Sequence, residues 1–189
     1  PMSSGLEDVA LVGHVLSIVV HGGFAAYLLI FGRLEGPSQI SGRLLVAALL
    51  STVAWSGAEL LAGAWPRGSW PLAANLLDLG RYGLWLAFLL QLFHVDPEKG
   101  KARTAKVLRA VAVVCLGLAV GTTLLGDGGA GADAPRTALL ATLVLPVLGL
   151  LTVEQVFRNV GEDSRWGAKP VCLGLACVYA FDTYVFSEG

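Results

Sequence analysis

Apolar residues fill six long stretches of the chain, and polar residues gather in short groups between them. The stretches run from Val9 to Phe31, Leu44 to Trp65, Leu72 to Phe93, Val107 to Leu125, Thr137 to Phe157 and Ala168 to about Ser187. A helix needs roughly 20 mostly apolar residues to cross a hydrocarbon core about 30 Å thick, and all six qualify. The pattern predicts an all-α fold, a polytopic membrane bundle of about six transmembrane helices. The connections are short, and none has the length of a soluble domain. The longest, Gly126 to Arg136, has the glycine-rich composition of a flexible linker.

The exceptions to the pattern carry more information than the pattern. At 1.5 Å per residue, Glu59 falls about 9 Å inside one end of the second stretch. Asp78 reaches a similar depth in the third, Arg81 lies one turn deeper, His14 lies in the first and Asp182 in the sixth. Five ionisable residues from four helices therefore share one slab in one half of the membrane. Each costs at least about 2.5–3.5 kcal/mol at the bilayer centre if it faces lipid, so each is expected to turn inward and find a partner or water. Helical spacing puts Asn75, Asp78, Arg81 and Trp85 on one face, and pairs Trp55 with Glu59 on another. His14, Ser17 and His21 form a polar stripe, and Tyr179, Asp182, Thr183 and Phe186 point roughly together. Two readings follow. Either these residues neutralise one another as internal polar glue, or His14, Trp55, Glu59, Asn75, Asp78, Arg81 and Asp182 line a ligand pocket open to the outer side.

Composition agrees with the membrane reading. Hydrophobic residues make up 55% of the 189, only 14% are charged, and the mean hydropathy is +0.69, against about 25% charged in ordinary soluble domains. The net charge of -1 and the lack of a basic, aromatic-interleaved patch exclude nucleic acid as a partner. Arg33, Arg43, Lys99, Lys101, Arg103, Lys106, Arg109, Arg158, Arg165 and Lys169 fall in or beside the first, third and fifth connections. Arg67 and Arg136 fall on the other side. Cytoplasmic loops hold the basic excess, which places the N-terminus outside. The run Lys99 to Arg109 would rest against anionic head groups.

Residues 1–8 are expected to form an external tail, and Pro1, ahead of Met2, reads as a cloning remnant. Residues 9–189 form one six-helix domain. No cleavable signal is expected, because Glu7 and Asp8 stand where a secretory signal carries basic residues. Cys115, Cys172 and Cys177 lie in apolar runs without metal-ligand spacing and read as small buried side chains. His14 and His21 are about 10 Å apart along a helix, too far to share a metal. No metal and no cofactor is expected. Glycine within the spans, including the GxxxG of Gly117 to Gly121, reads as close helix packing; a homodimer is left open. Pro146 is expected to kink the fifth helix, and Glu154 to pair with Arg158 at the membrane boundary.

The segment Val153 to Ser187 resembles the membrane region of the PEP-CTERM system sensor histidine kinases, the PrsK family. The resemblance rests on Val153, Glu154, Gln155, Phe157, Arg158 and Asn159, then Arg165, Trp166 and Lys169. It continues through Cys172, Leu173, Gly174 and Leu175, and closes on Phe181, Asp182 and Tyr184. Asp78, Arg81, Tyr82 and Trp85 match the family's third helix, an acid-x-x-Arg-Tyr-x-x-Trp run. The resemblance covers about a third of the chain closely and implies a sensory domain in the bacterial inner membrane. It further implies membership of a two-component system tied to exopolysaccharide and to PEP-CTERM protein sorting. Family members continue with further spans, a GAF-like domain and the kinase domains, so the chain is expected to be truncated at its C-terminus. Its implied partners are the lipid bilayer, that kinase region and, through it, a cognate response regulator.

No phosphoacceptor histidine box or ATP-binding glycine motif lies in these residues, so the fragment itself is not expected to be an enzyme. The first alternative is an ion- or small-solute-transporting bundle, since intramembrane acids and histidines also form proton paths. No inverted repeat or paired broken helix favours it. A membrane enzyme using Cys172 and His94 is the weakest reading, for no orienting carboxylate accompanies them.

Overall fold

A computed structural model describes residues 3–32, 39–67, 69–92, 99–125, 136–159 and 162–188. Among the described residues there are six α-helices and no strand: α1 (Ser3–Phe31), α2 (Gln39–Ala64), α3 (Trp70–Leu92), α4 (Lys99–Leu125), α5 (Arg136–Asn159) and α6 (Glu162–Glu188). The helices outrun the apolar stretches at their polar ends. In α4 the basic run from Lys99 is already helical, and α6 begins six residues before Ala168. An apolar stretch marks what lipid tolerates, whereas a helix continues until its backbone groups find other partners. The glycine-rich stretch 126–135 lies outside the described residues.

Among the described residues, three helices are long and apolar enough to cross a membrane, over Val9–Phe31, Ile40–Ala64 and Lys106–Leu124. The chain is accordingly a membrane protein. The remaining three helices have 23, 24 and 27 residues, ample length. Their polar residues lower the mean apolarity: Asn75, Asp78, Arg81 and Gln91 in α3, Thr152, Glu154 and Gln155 in α5, Lys169, Asp182 and Thr183 in α6. Exposure supports an apolar solvent. Val12, Leu16 and Val19 of α1 are about two-thirds exposed while Ser56 and Arg81 are buried. Buried polar groups beneath exposed aliphatic ones invert the soluble arrangement.

The chain divides into two compact units, residues 1–84 and 85–189, with the boundary inside α3. In the first unit α1 packs on α2. Small side chains allow the approach: Ala25, Ala48 and Ala58 are buried, and a Cβ on Gly22 would lie 3.7 Å from Val53 Cγ2. Ser56 Oγ donates to Ser17 Oγ across this seam at 3.0 Å. Helix α3 opens with Pro71 in its first turn, where a missing N–H leaves no helical bond unmade.

In the second unit α5 packs on both α4 and α6. Leu86 and Leu90 from the end of α3 meet Ala112 and Leu108 of α4 and Leu148 of α5. Both α5 and α6 run through an internal proline, Pro146 and Pro170. The seam between them depends on one glycine. A Cβ on Gly149 would fall 2.6–2.8 Å from three ring carbons of Tyr179, itself fully buried. The other span glycines behave differently from the packing expectation. Gly23, Gly57, Gly63, Gly80, Gly117, Gly121 and Gly174 have nothing within 4 Å of an added Cβ. The GxxxG spacing creates a smooth strip, but among the described residues no neighbour occupies it.

Gly149→Ala is therefore expected to lower stability by about 1–3 kcal/mol, the usual cost of overpacking. Gly57→Ala, with open space around it, should change stability by less than about 0.5 kcal/mol. Thermal unfolding of the two variants in detergent checks the contrast.

Candidate functional site

Helix α2 carries its polar residues down one side. Ser51 and Thr52 return their hydroxyls to the Ala48 carbonyl at 2.8 and 2.9 Å, which satisfies them without leaving the helix. One turn on, Trp55 and Glu59 are four residues apart and meet: the indole Nε1 donates to Glu59 Oε1 at 3.2 Å. The spacing that groups them on one face thus makes a direct bond, and it aims the indole.

Helix α3 brings the opposite charge. Asp78 and Arg81 are three apart on neighbouring turns, and Asp78 Oδ1 accepts from Arg81 Nε at 2.9 Å and from Nη2 at 2.7 Å. Both side chains are largely withdrawn from solvent, the arginine 7% exposed and the aspartate 21%. The guanidinium carbon lies 4.2 Å from the centroid of the Trp55 ring on α2 and 4.7 Å from that of Tyr82. Both distances are well inside the roughly 6 Å reach of a cation–π contact, worth about 2 kcal/mol or more when desolvated. One cation is held by a carboxylate and two aromatic faces.

Helix α1 completes the group. The His14 ring stands edge-on to Trp55, 5.3 Å between centroids at 71°. One turn further, Ser17 receives the Ser56 hydroxyl. His21 Nδ1 lies 2.9 Å from the Ser17 carbonyl, which requires the proton on that nitrogen and leaves Nε2 as the acceptor. His14 and His21 therefore look to different partners, in keeping with their separation along the helix.

Five of the seven candidate residues, His14, Trp55, Glu59, Asp78 and Arg81, form one continuous set of contacts within the first unit. Asn75 is half-buried one turn before Asp78. Asp182 is half-buried on α6 and belongs to the second unit. Two contributors were missed by the sequence reading of the site. Ser56 lies three positions before Glu59, so its helical face was available as a signal. Tyr82 adjoins Arg81, and adjacency on a helix gives no hint that the guanidinium would fold back over the ring. Elsewhere, Glu154 and Arg158 make the expected pair at 2.9 Å, both well exposed. Cys172 is buried, and His94 lies outside the described residues.

The chain matches no protein-family model, no curated protein and no solved structure.

Removing one member of a desolvated ion pair strands the other. Arg81→Leu and Asp78→Leu are each expected to cost about 3 kcal/mol, and the double variant less than the sum of the two. Equilibrium unfolding of the three variants in one detergent measures the coupling; additive losses would mean that the pair contributes nothing jointly.

Proposed function

We propose that the chain is the membrane-embedded input domain of a bacterial two-component sensor histidine kinase. It crosses the inner membrane six times with its N-terminus outside, and detects a ligand or a membrane cue. The observation that carries the reading is the clamp on Arg81. A charge that belongs to α3 has one of its two aromatic faces on α2, and that same indole touches α1 through His14. Sliding or rotating α3 against α2 by a single side-chain register would uncover the guanidinium, so intermediate positions are costly and discrete ones are favoured.

That is the property an input bundle needs. A stimulus shifts a population only through different affinities for two packings. A ligand that bonds Arg81 or Glu59 in place of Trp55 or Asp78 favours a packing in which those partners have separated. In this scheme Arg81 and Asp78 set the charge balance, Trp55 and Glu59 form the movable wall, and His14 and Asn75 line the approach. The resemblance of Asp78, Arg81, Tyr82 and Trp85 and of Val153 to Ser187 to the PEP-CTERM sensor kinases supports the same role. Phosphotransfer to a response regulator would reside in the kinase region that such proteins carry.

The reading frame beyond Gly189 is the first test: it should encode an odd number of further spans, which return the chain to the cytoplasmic side, and then a histidine box and an ATP-binding domain. In that full-length protein, in vesicles, Arg81→Lys keeps the charge but loses the flat stacking surface. Autophosphorylation is expected to change at least about fivefold, as a shift of about 1 kcal/mol between two packings requires. Unchanged autophosphorylation in a folded Arg81→Lys protein removes the clamp from signalling. Proton or ion flux across the same vesicles, abolished by Glu59→Gln, would replace sensing with transport.

A further inference from the structure

We infer that α5 is hinged at Pro146 and that the Tyr179 ring of α6 is the latch holding the hinge in one position. The helix is continuous from Arg136 to Asn159, yet three successive turns of it are weakened. Pro146 has no N–H to offer the carbonyl four residues back, and its ring crowds that carbonyl. Gly149 follows three residues later, the poorest helix former after proline. Thr152 turns its hydroxyl back onto the Leu148 carbonyl at 2.7 Å, a bond that bends helices. All three residues are buried, so the weak points lie on the side of α5 that faces its neighbours. Sharp bends form at such positions, and the angle is then set by what touches the helix.

What touches it at this level is Tyr179. A Cβ on Gly149 would fall 2.6–2.8 Å from three ring carbons, so the ring rests against the α5 backbone itself. A flat, fully buried group in a backbone notch has one good fit. Directly beyond this contact the seam opens. A groove of about 410 Å³ separates the helices there, with Leu150, Val153 and Phe157 on one wall and Lys169, Cys172 and Ala176 on the other. Every α5 residue on the wall follows Gly149, and every α6 residue precedes Tyr179. A tight contact beside an open gap has the form of a fulcrum. Bending at Pro146 changes the width of the groove, and the groove gives Leu150 to Asn159 room to move. The hinge is a property of the second unit alone, and it holds whether the chain senses a cue or conducts a solute.

Cys172 is a built-in reporter, because it is 2% exposed on the floor of the groove and is uncovered when the end of α5 lifts off α6. The full chain in detergent, in a C115S background, is treated with N-ethylmaleimide, and labelling of each cysteine is followed by peptide mass spectrometry. The exposed Cys177 serves as the reference rate. Tyr179→Ala should speed labelling of Cys172 at least about tenfold, since loss of a buried ring frees local opening. Tyr179→Phe, which keeps the ring, should stay within about twofold of the parent. Adding Pro146→Ala to Tyr179→Ala should return labelling to the parent rate, because an uninterrupted helix no longer bends. Should Tyr179→Ala fail to fold, Gly149→Ala, which forces the ring from its notch, is read in its place, alone and with Pro146→Ala. An unchanged rate in the folded unlatched variant overturns the latch. Faster labelling that Pro146→Ala does not reverse overturns the hinge, for the ring then only fills space.

Discussion

A buried guanidinium cannot be left without partners, and the first unit is organised by that fact. Arg81 is always protonated in proteins and is buried midway along its helix. Its charge has to be met where it stands. Asp78 supplies the countercharge from the preceding turn, and the two aromatic faces occupy directions that the carboxylate leaves uncovered. Because one of those faces belongs to α2, solvating a single side chain also fixes which side of α3 turns toward α2. The indole N–H then determines where Glu59 rests, and the indole edge determines where His14 can pack.

The second unit reaches cohesion by another route. Its seams are steric: leucines from three helices interlock around Ala112, and an aromatic ring occupies the space that Gly149 leaves beside it. Contacts of this kind are short-ranged and have one good fit. A polar clamp and a ring slot thus stand in the same chain as two different ways of holding helices together when burial of apolar surface supplies no preference. The former is built from polar bonds that can be re-formed with other polar groups, whereas the latter can only be intact or broken.

Much of the helical fold was legible in the sequence, because an apolar run with no turn residues admits few alternatives to a helix. The ends were less so: Lys99 to Lys106 and Glu162 to Gly167 continue as helix beyond the apolar runs. For the site, spacing alone identified Trp55 with Glu59 and Asp78 with Arg81, since pairs three or four apart meet by helix geometry. Contacts between helices were a different matter. That Arg81 should lie on Trp55, or Ser17 bond Ser56, depends on the rotation of each helix about its axis, and the hydrophobic pattern specifies that rotation poorly when every face is apolar. The glycines mark the same limit. Gly149 and Gly117 are indistinguishable in sequence, and only the facing element makes the first indispensable and leaves the second idle.

The two ion pairs described above differ in how the surrounding electrolyte reaches them. Glu154 and Arg158 are bathed on most sides, so dissolved ions within a Debye length of about 8 Å at physiological strength weaken their attraction. Asp78 and Arg81 are largely withdrawn from solvent, with the guanidinium stacked on two rings, so dissolved ions screen their attraction much less. A change of ionic strength therefore acts far more on Glu154 and Arg158 than on Asp78 and Arg81, whose attraction is set by the packing around them.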